Sequence, residues 1–213
     1  MASYENLIKA IREGDADLVE SEVKKELSQG IDPQNILADG LIGGMGIVGK
    51  LMRDGDMFLP EVIASANAMH KGLDIVKRQL AESGQRELVL GKVVIGTVEG
   101  DIHDIGKRVV SFMLEGNGFE VIDIGIDVKP AAFAEAVARH NPDILGMSAL
   151  LTTTMPQMEK VISLLKEKGL RGRVKIMVGG GSLNEDFART IGADGYAPEA
   201  GSAVDLARKL LAK

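Results

Sequence analysis

Over the first eighty residues, apolar positions recur every three or four residues, the period of helices with one buried face. Leu7, Ile8 and Ile11 mark a first helix with Ser3 as its N-cap, and Gly14-Asp15 reads as a stop followed by a new cap. Leu18, Val19, Val23 and Leu27 mark a second helix ending near Gly30. Asp32-Pro33 is a cap with proline at the first helical position. Ile36, Leu37, Leu41, Val48, Leu51 and Met52 form a third apolar face. After the turn "RDGDMFLPE", Val62, Ile63, Ala66, Met69, Leu73, Val76 and Leu80 form a fourth. Four helices with short connections predict an antiparallel bundle over residues 1–83.

The stretch "ESGQRELVLG" breaks this pattern, and residues 84–91 are expected to be a linker. From residue 92 to residue 213 short apolar runs alternate with helical ones. The strand runs are "KVVIGTV", "FEVIDIG", "DILGMSAL", "VKIMVGG" and, with a weaker signal, "ADGYA". Helical stretches are expected around 105–117, 130–140, 156–168, 184–191 and 199–212. Apolar strands joined by helices indicate a parallel sheet covered on both faces. The fold class is therefore α/β: a helical bundle followed by a five-stranded, flavodoxin-like or Rossmann-like domain.

Composition narrows the functions this frame can carry. The net charge is −6, and residues 1–83 hold 9 Lys and Arg against 14 Asp and Glu, so no nucleic-acid partner is expected. The absence of cysteine excludes disulfides, thiolate nucleophiles and thiolate metal sites. The acidic, amphipathic N-terminus is unlike a signal peptide, and the apolar stretches are interrupted short of a membrane span. A cytoplasmic protein with no membrane association is the expectation.

In open parallel sheets, ligands bind beyond the carboxyl ends of the strands. Those ends carry "EGDIHDIG" after the first strand, "SALLTTTM" after the third, "GGGS" after the fourth and "GYAPEAG" after the fifth. Gly100 and Gly106 are too far apart for a phosphate loop, Arg108 stands where its hydroxyl would be, and Asp101 and Asp104 would repel phosphate. No G-x-G-x-x-G fingerprint occupies this turn, and Ser148 stands where a phosphoacceptor domain would have aspartate. A metallohydrolase could use Asp101, His103 and Asp104, but needs more ligands than these. His70 lies on a bundle helix and reads as a surface or satisfied core residue. His140 precedes Asn141-Pro142 at a helix end, where a cation suits the dipole. His103 differs, because Asp101 two residues earlier is placed to orient its imidazole.

Three separated motifs combine here: D-x-H-x-x-G (Asp101, His103, Gly106), then 41 residues, S-x-L (Ser148, Leu150), then 28 residues, and Gly179-Gly180. This pattern resembles the cobalamin-binding fingerprint of methionine synthase and of the small corrinoid proteins of methyltransferase systems. "DMFLPEV" and "GADGYAPEA" resemble other segments of the same group, so the likeness spans nearly the whole chain.

The resemblance implies a bound cobalamin or related corrinoid, in its methylcobalamin form during turnover, with His103 as the lower axial ligand of cobalt. It implies that Asp101 accepts the other imidazole N–H and that Thr154, at a position often serine in the family, completes a hydrogen-bond relay. Ser148 would bond near the base end of the displaced nucleotide tail, with Leu150, Gly179 and Gly180 leaving room for it. Gly106 would allow close packing on the corrin. Ile102, Asp104, Thr152, Gly181, Tyr196 and Ala197 complete the implied binding set, and Met57, Phe58 and Leu59 would form a lid. The implied role is a methyl carrier, not an autonomous enzyme. Its partners would be a substrate-specific methyltransferase (O-demethylase, methylamine or methanol type), a second methyltransferase acting on tetrahydrofolate or a thiol coenzyme, and a corrinoid reductive activase. A mutase subunit shares the fingerprint but generally lacks the helical part, and a cobalamin-dependent regulator would normally carry a basic DNA-binding module.

Overall fold

The structure, a computed structural model, describes residues 4–84 and 89–212. Ser3 and most of the expected linker lie outside the described residues. The chain forms two compact units, divided at Leu90/Gly91, with Glu115–Gly118 belonging to the first.

The first unit is helical: α1 (Glu5–Glu13), α2 (Ala16–Ser28), α3 (Pro33–Asn35), a π-helical stretch (Ile36–Ile42), α4 (Gly43–Asp54) and α5 (Leu59–Glu82). The side chain of Asp15 accepts from the Leu18 N–H at 2.9 Å and that of Asp32 from the Gln34 N–H at 2.9 Å, closing the starts of α2 and α3. Residues 33–54 run as one continuous rod, so four rods are present where four helices are expected. The third differs from an ordinary α-helix over Ile36–Ile42. Two turns of apolar spacing do not separate an i→i+5 turn from an i→i+4 one. Gly40 and Gly44 bring this rod against α1, since a Cβ there would lie 2.7 Å from Leu7 Cδ2 and 2.8 Å from Ile11 Cδ1. The rod is long and apolar enough to cross a membrane by length and composition. Its Ile36, Leu37, Leu41, Met45 and Val48 are nevertheless buried inside the unit, as in the core helix of a bundle.

One buried acid works against this bundle. Glu26 is 7% exposed, and burial, with help from Glu22, pushes its carboxyl above the usual range. A carboxylate whose pKa is raised on folding destabilises the native state above that pKa, and the penalty disappears once both states are protonated. Glu26→Gln is expected to raise the chemical-denaturation midpoint at pH 7, with the difference from the parent vanishing towards pH 4. A variant less stable than the parent at neutral pH would show that the charge has a compensating partner.

The second unit contains β1 (Gly91–Thr97), α6 (Ile105–Glu115), β2 (Phe119–Asp123), α7 (Pro130–His140), β3 (Ile144–Ser148), α8 (Pro156–Glu167), a 3-10 turn (Arg171–Arg173), β4 (Lys175–Gly179), α9 (Glu185–Ile191), β5 (Gly195–Ala197) and α10 (Ala200–Leu211). All pairings are parallel, in the order β2-β1-β3-β4-β5. The central strands β1, β3 and β4 are buried on both faces over most of their length, which is why they read as unbroken apolar runs. Val94, Leu145, Ile176 and Val178 pack with Phe133 and Val137 of α7 and with Met158, Val161 and Leu165 of α8. From β1 the chain moves outward to β2, then crosses back to β3 on the other side. The connections leaving β1 and β3 therefore diverge, and such a switch point opens a crevice at the carboxyl edge of the sheet.

Candidate functional site

Thr97, Ser148 and Gly179 stand side by side in the register of β1, β3 and β4, so the loops that follow these strands begin at one level. Asp101, in the β1–α6 loop, is fully buried and lies at the centre of the crevice. Its Oδ1 accepts from the His103 N–H at 3.0 Å and lies 2.7 Å from His103 Nδ1. Its Oδ2 accepts from the N–H groups of Leu150 at 2.8 Å and Leu151 at 3.3 Å and from the Thr154 hydroxyl at 2.7 Å. Burial by itself raises this carboxyl. The His103 N–H, the Thr154 hydroxyl, the His103 imidazole and the Leu150 N–H outweigh it and hold the group well below the usual carboxylate range.

An ionised carboxylate only accepts hydrogen bonds, so the proton between Asp101 and His103 resides on Nδ1. The Nε2 lone pair is then left for a ligand. The imidazole is 47% exposed, and the Thr97 hydroxyl donates to the His103 carbonyl at 3.1 Å, pinning the loop from β1. A continuous run of hydrogen bonds thus joins Thr154, Asp101 and the imidazole, across 53 residues of sequence at its longest step.

The loops at this edge also carry exposed apolar side chains. Ile102 is 70% exposed and Ile105 63%, and Ile126, Leu150 and Leu151 are also exposed, on the β2–α7 and β3–α8 connections. Apolar surface exposed at such an edge marks a place that a ligand covers. Gly106, in the first turn of α6, is exposed, and a Cβ there would meet nothing within 4 Å. Protein packing therefore does not demand glycine at 106.

The other expected residues fall in two groups. Ser148 is half-buried at the end of β3, with its carbonyl accepting from Val98 N–H at 3.0 Å, and Leu150 follows it. Gly180 has φ 137°, and a Cβ there would lie 1.9 Å from the Ala149 carbonyl oxygen. Gly179 comes within 3.0 Å of the Ala197 carbonyl by the same measure, so the glycine pair is a close backbone crossing as well as a turn. Asp104 is half-buried, 3.9 Å from Arg108; Thr152 and Gly181 are exposed, Tyr196 half-buried and Ala197 buried. In the helical unit Met57 is buried, whereas Phe58 is 68% exposed and Leu59 is also open to solvent. The Phe58 N–H donates to Glu61 Oε2 at 2.7 Å, starting α5 with that apolar surface turned outward.

Neither of the remaining histidines joins the site. His70 Nε2 lies 3.0 Å from Glu115 Oε2, and His140 ends α7. Among the described residues no three His, Asp or Glu side chains are grouped to hold a bare metal ion. Two features escaped sequence reasoning. Lys107 is buried with its ammonium against the Asp123 carboxylate, which also accepts from the Gly125 N–H at 2.9 Å. Asp127 contacts the histidine loop from the β2–α7 connection.

Comparison with known proteins fits this geometry. Residues 91–205 match a B12 binding domain, and residues 3–77 match a second B12 binding domain model. A corrinoid protein of Desulfitobacterium hafniense is 44% identical over 100% of this chain and 99% of its own length. Dimethylamine corrinoid protein 1 of Methanosarcina acetivorans is 47% identical over 92% of this chain and 91% of its own. Among solved structures, the methanol:cobalamin methyltransferase complex MtaBC of Methanosarcina barkeri contains a chain with TM-score 0.88 and 36% identity, covering 98% of this chain and 79% of that one.

Proposed function

The chain belongs to the B12-binding corrinoid proteins of methyltransferase systems, and on that premise we propose that it is a methyl carrier: it receives a methyl group from a substrate-specific methyltransferase and delivers it to a second one. The observation that carries the reading is the buried Asp101 carboxylate, which holds the Nδ1 proton of an exposed imidazole at the carboxyl edge of the sheet. A corrinoid bound there supplies a cobalt centre that takes up and releases the methyl group.

The chain supplies the setting. His103 would offer Nε2 to cobalt. Asp101 fixes the tautomer and makes the imidazole a better donor. Thr154 steadies Asp101 and can pass hydrogen-bond polarisation towards it. Ile102, Ile105, Leu150 and Leu151 would help keep water from the bound corrinoid, with Gly106 leaving room and Asp104 beside them. Ser148, Gly179 and Gly180 would hold the nucleotide tail, with Thr152, Gly181, Tyr196 and Ala197 beside it. Phe58 and Leu59 are proposed as further corrinoid contacts from the helical unit. Buried Met57 would act by supporting them.

The methyl donor proposed is a methylamine or methanol, after the dimethylamine corrinoid protein and the methanol complex above, with an O-demethylase substrate as the alternative. The acceptor transferase would use tetrahydrofolate or a thiol coenzyme, and a reductive activase would restore Co(I). This reading places the protein with those partners in the cytoplasm.

The test begins with hydroxocobalamin reconstitution, reduction to cob(II)alamin and spin-resonance spectroscopy. One bound corrinoid showing hyperfine coupling to a protein nitrogen is expected. His103→Ala should lose the coupling and keep corrinoid bound. Coupling that survives in His103→Ala would remove His103 as the ligand. Failure to accept methyl groups from methylamine, methanol or methoxyarene methyltransferases would sink the carrier reading.

A further inference from the structure

Asp127 belongs to none of the motifs above, yet it grips the histidine loop at two points. Its N–H donates to the Asp101 carbonyl oxygen at 3.0 Å, and its Oδ1 accepts from the Gly100 N–H at 2.7 Å. One residue thereby fixes the peptide groups on both sides of the Gly100–Asp101 link. It is placed to do so by the bridge pairing Val98 with Val128, which lays the β2–α7 connection alongside the start of the loop.

The backbone of Asp127 is unusual. Its φ is 52°, in the left-handed region that side chains rarely adopt and that Asp and Asn tolerate best. The residue is exposed, so core packing does not impose that conformation. Strained backbone that persists without burial is maintained by the contacts it makes, and here those contacts are with the loop carrying Asp101 and His103.

Three grips hold this loop. Thr97 bonds the His103 carbonyl from β1, and Leu150, Leu151 and Thr154 bond the Asp101 side chain from the β3–α8 connection. Apart from the turn bond that the Asp101 N–H donates to the Val98 carbonyl at 3.1 Å, both leave the Gly100–Asp101 main chain to the third grip, Asp127. A rotation of that main chain would turn Asp101 Oδ1 away from the imidazole.

We propose that Asp127 is a positioning residue of the corrinoid site: it fixes the main chain from which Asp101 and His103 project, and so sets how completely the imidazole adopts its ligand-offering tautomer and orientation. The proposal rests on the reading of His103 as the cobalt ligand. Asp127 would touch neither cobalt nor the methyl group.

The test compares Asp127→Gly with Asp127→Asn in the full chain. Glycine accepts the left-handed φ and removes the carboxylate, so the fold survives while the grip on Gly100 is lost. Asparagine keeps both the φ tolerance and an acceptor oxygen. In the corrinoid-free protein, Asp127→Gly is expected to speed amide exchange at Gly100 about ten-fold or more, the equivalent of one charge-assisted hydrogen bond. The ring-nitrogen shifts of His103 should move towards a mixture of tautomers. After reconstitution, the fraction of cob(II)alamin coupled to histidine nitrogen should fall severalfold with corrinoid retained, and Asp127→Asn should stay close to the parent. Unchanged Gly100 exchange and unchanged ring shifts in Asp127→Gly would overturn the proposal. A parent spectrum without histidine coupling would overturn the His103 assignment instead, and exchange in the corrinoid-free protein would still decide the Asp127 grip.

Discussion

Asp101→Ala is expected to destabilise the sheet unit by about 3–5 kcal/mol, the usual result of removing a buried charge from groups built around it. The carboxylate serves donors from two loops, and alanine would leave the Leu150 N–H and the Thr154 hydroxyl buried without that acceptor. Asp101→Asn is the more informative change. An amide presents one acceptor and one donor end, but both oxygens of Asp101 face donors: His103 on one side, Leu150 and Thr154 on the other. One set must therefore lose its acceptor, at a cost of about 1.5–3 kcal/mol. If the nitrogen turns to His103, Nδ1 must become the acceptor and the proton moves to Nε2, the nitrogen offered to cobalt. Cob(II)alamin in the variant should then shift from histidine-bound to histidine-free, and the Co(II)/Co(I) midpoint should change. A spectrum and potential equal to the parent's would reduce Asp101 to a loop cap.

Gly180→Ala is expected to be of similar size, for a steric reason. A methyl at 180 would sit 1.9 Å from the Ala149 carbonyl oxygen, a backbone atom that cannot step aside without moving the end of β3. The left-handed φ of 137° adds strain of its own. Together these should lower stability by at least about 3 kcal/mol, with corrinoid retention falling in parallel. Gly181→Ala is the control. Its nearest contact would be the flexible end of Leu150, 2.9 Å away, and a change below about 1 kcal/mol is expected in a denaturant titration. Equal effects at the two positions would show that the 180 crossing is not rigid.

Much of this molecule can be read from its sequence, and the reasons are local. A strand covered on both faces must be apolar throughout, so the runs at 93–95, 144–147 and 176–178 announce a parallel sheet by themselves. Asp101 and His103 lie two residues apart, so their contact needs little more than a turn. Thr154 lies 53 residues from Asp101, and only the family resemblance singled it out in advance. Asp127 was hidden for a related reason. Its role depends on a left-handed backbone and on a partner 27 residues away, neither of which leaves a trace in hydrophobic periodicity. The Lys107–Asp123 pair left no signal in the sequence, because burial of a lysine is decided by tertiary packing. The π-helical stretch was missed because its apolar residues keep a spacing that both helix types satisfy over two turns.

The exposed aliphatic side chains on the loops at the carboxyl edge of the sheet bear on how the protein can be made in a cell. If the corrinoid covers Ile102, Ile105, Leu150 and Leu151 as proposed, the corrinoid-free chain exposes more apolar surface than the loaded one, and two such copies would gain by covering it. Synthesis of the chain must then keep step with the vitamin supply. When corrinoid is scarce, the surplus would be drawn into self-association instead of waiting as a reserve, and the yield of working carrier would follow the scarcer of the two components.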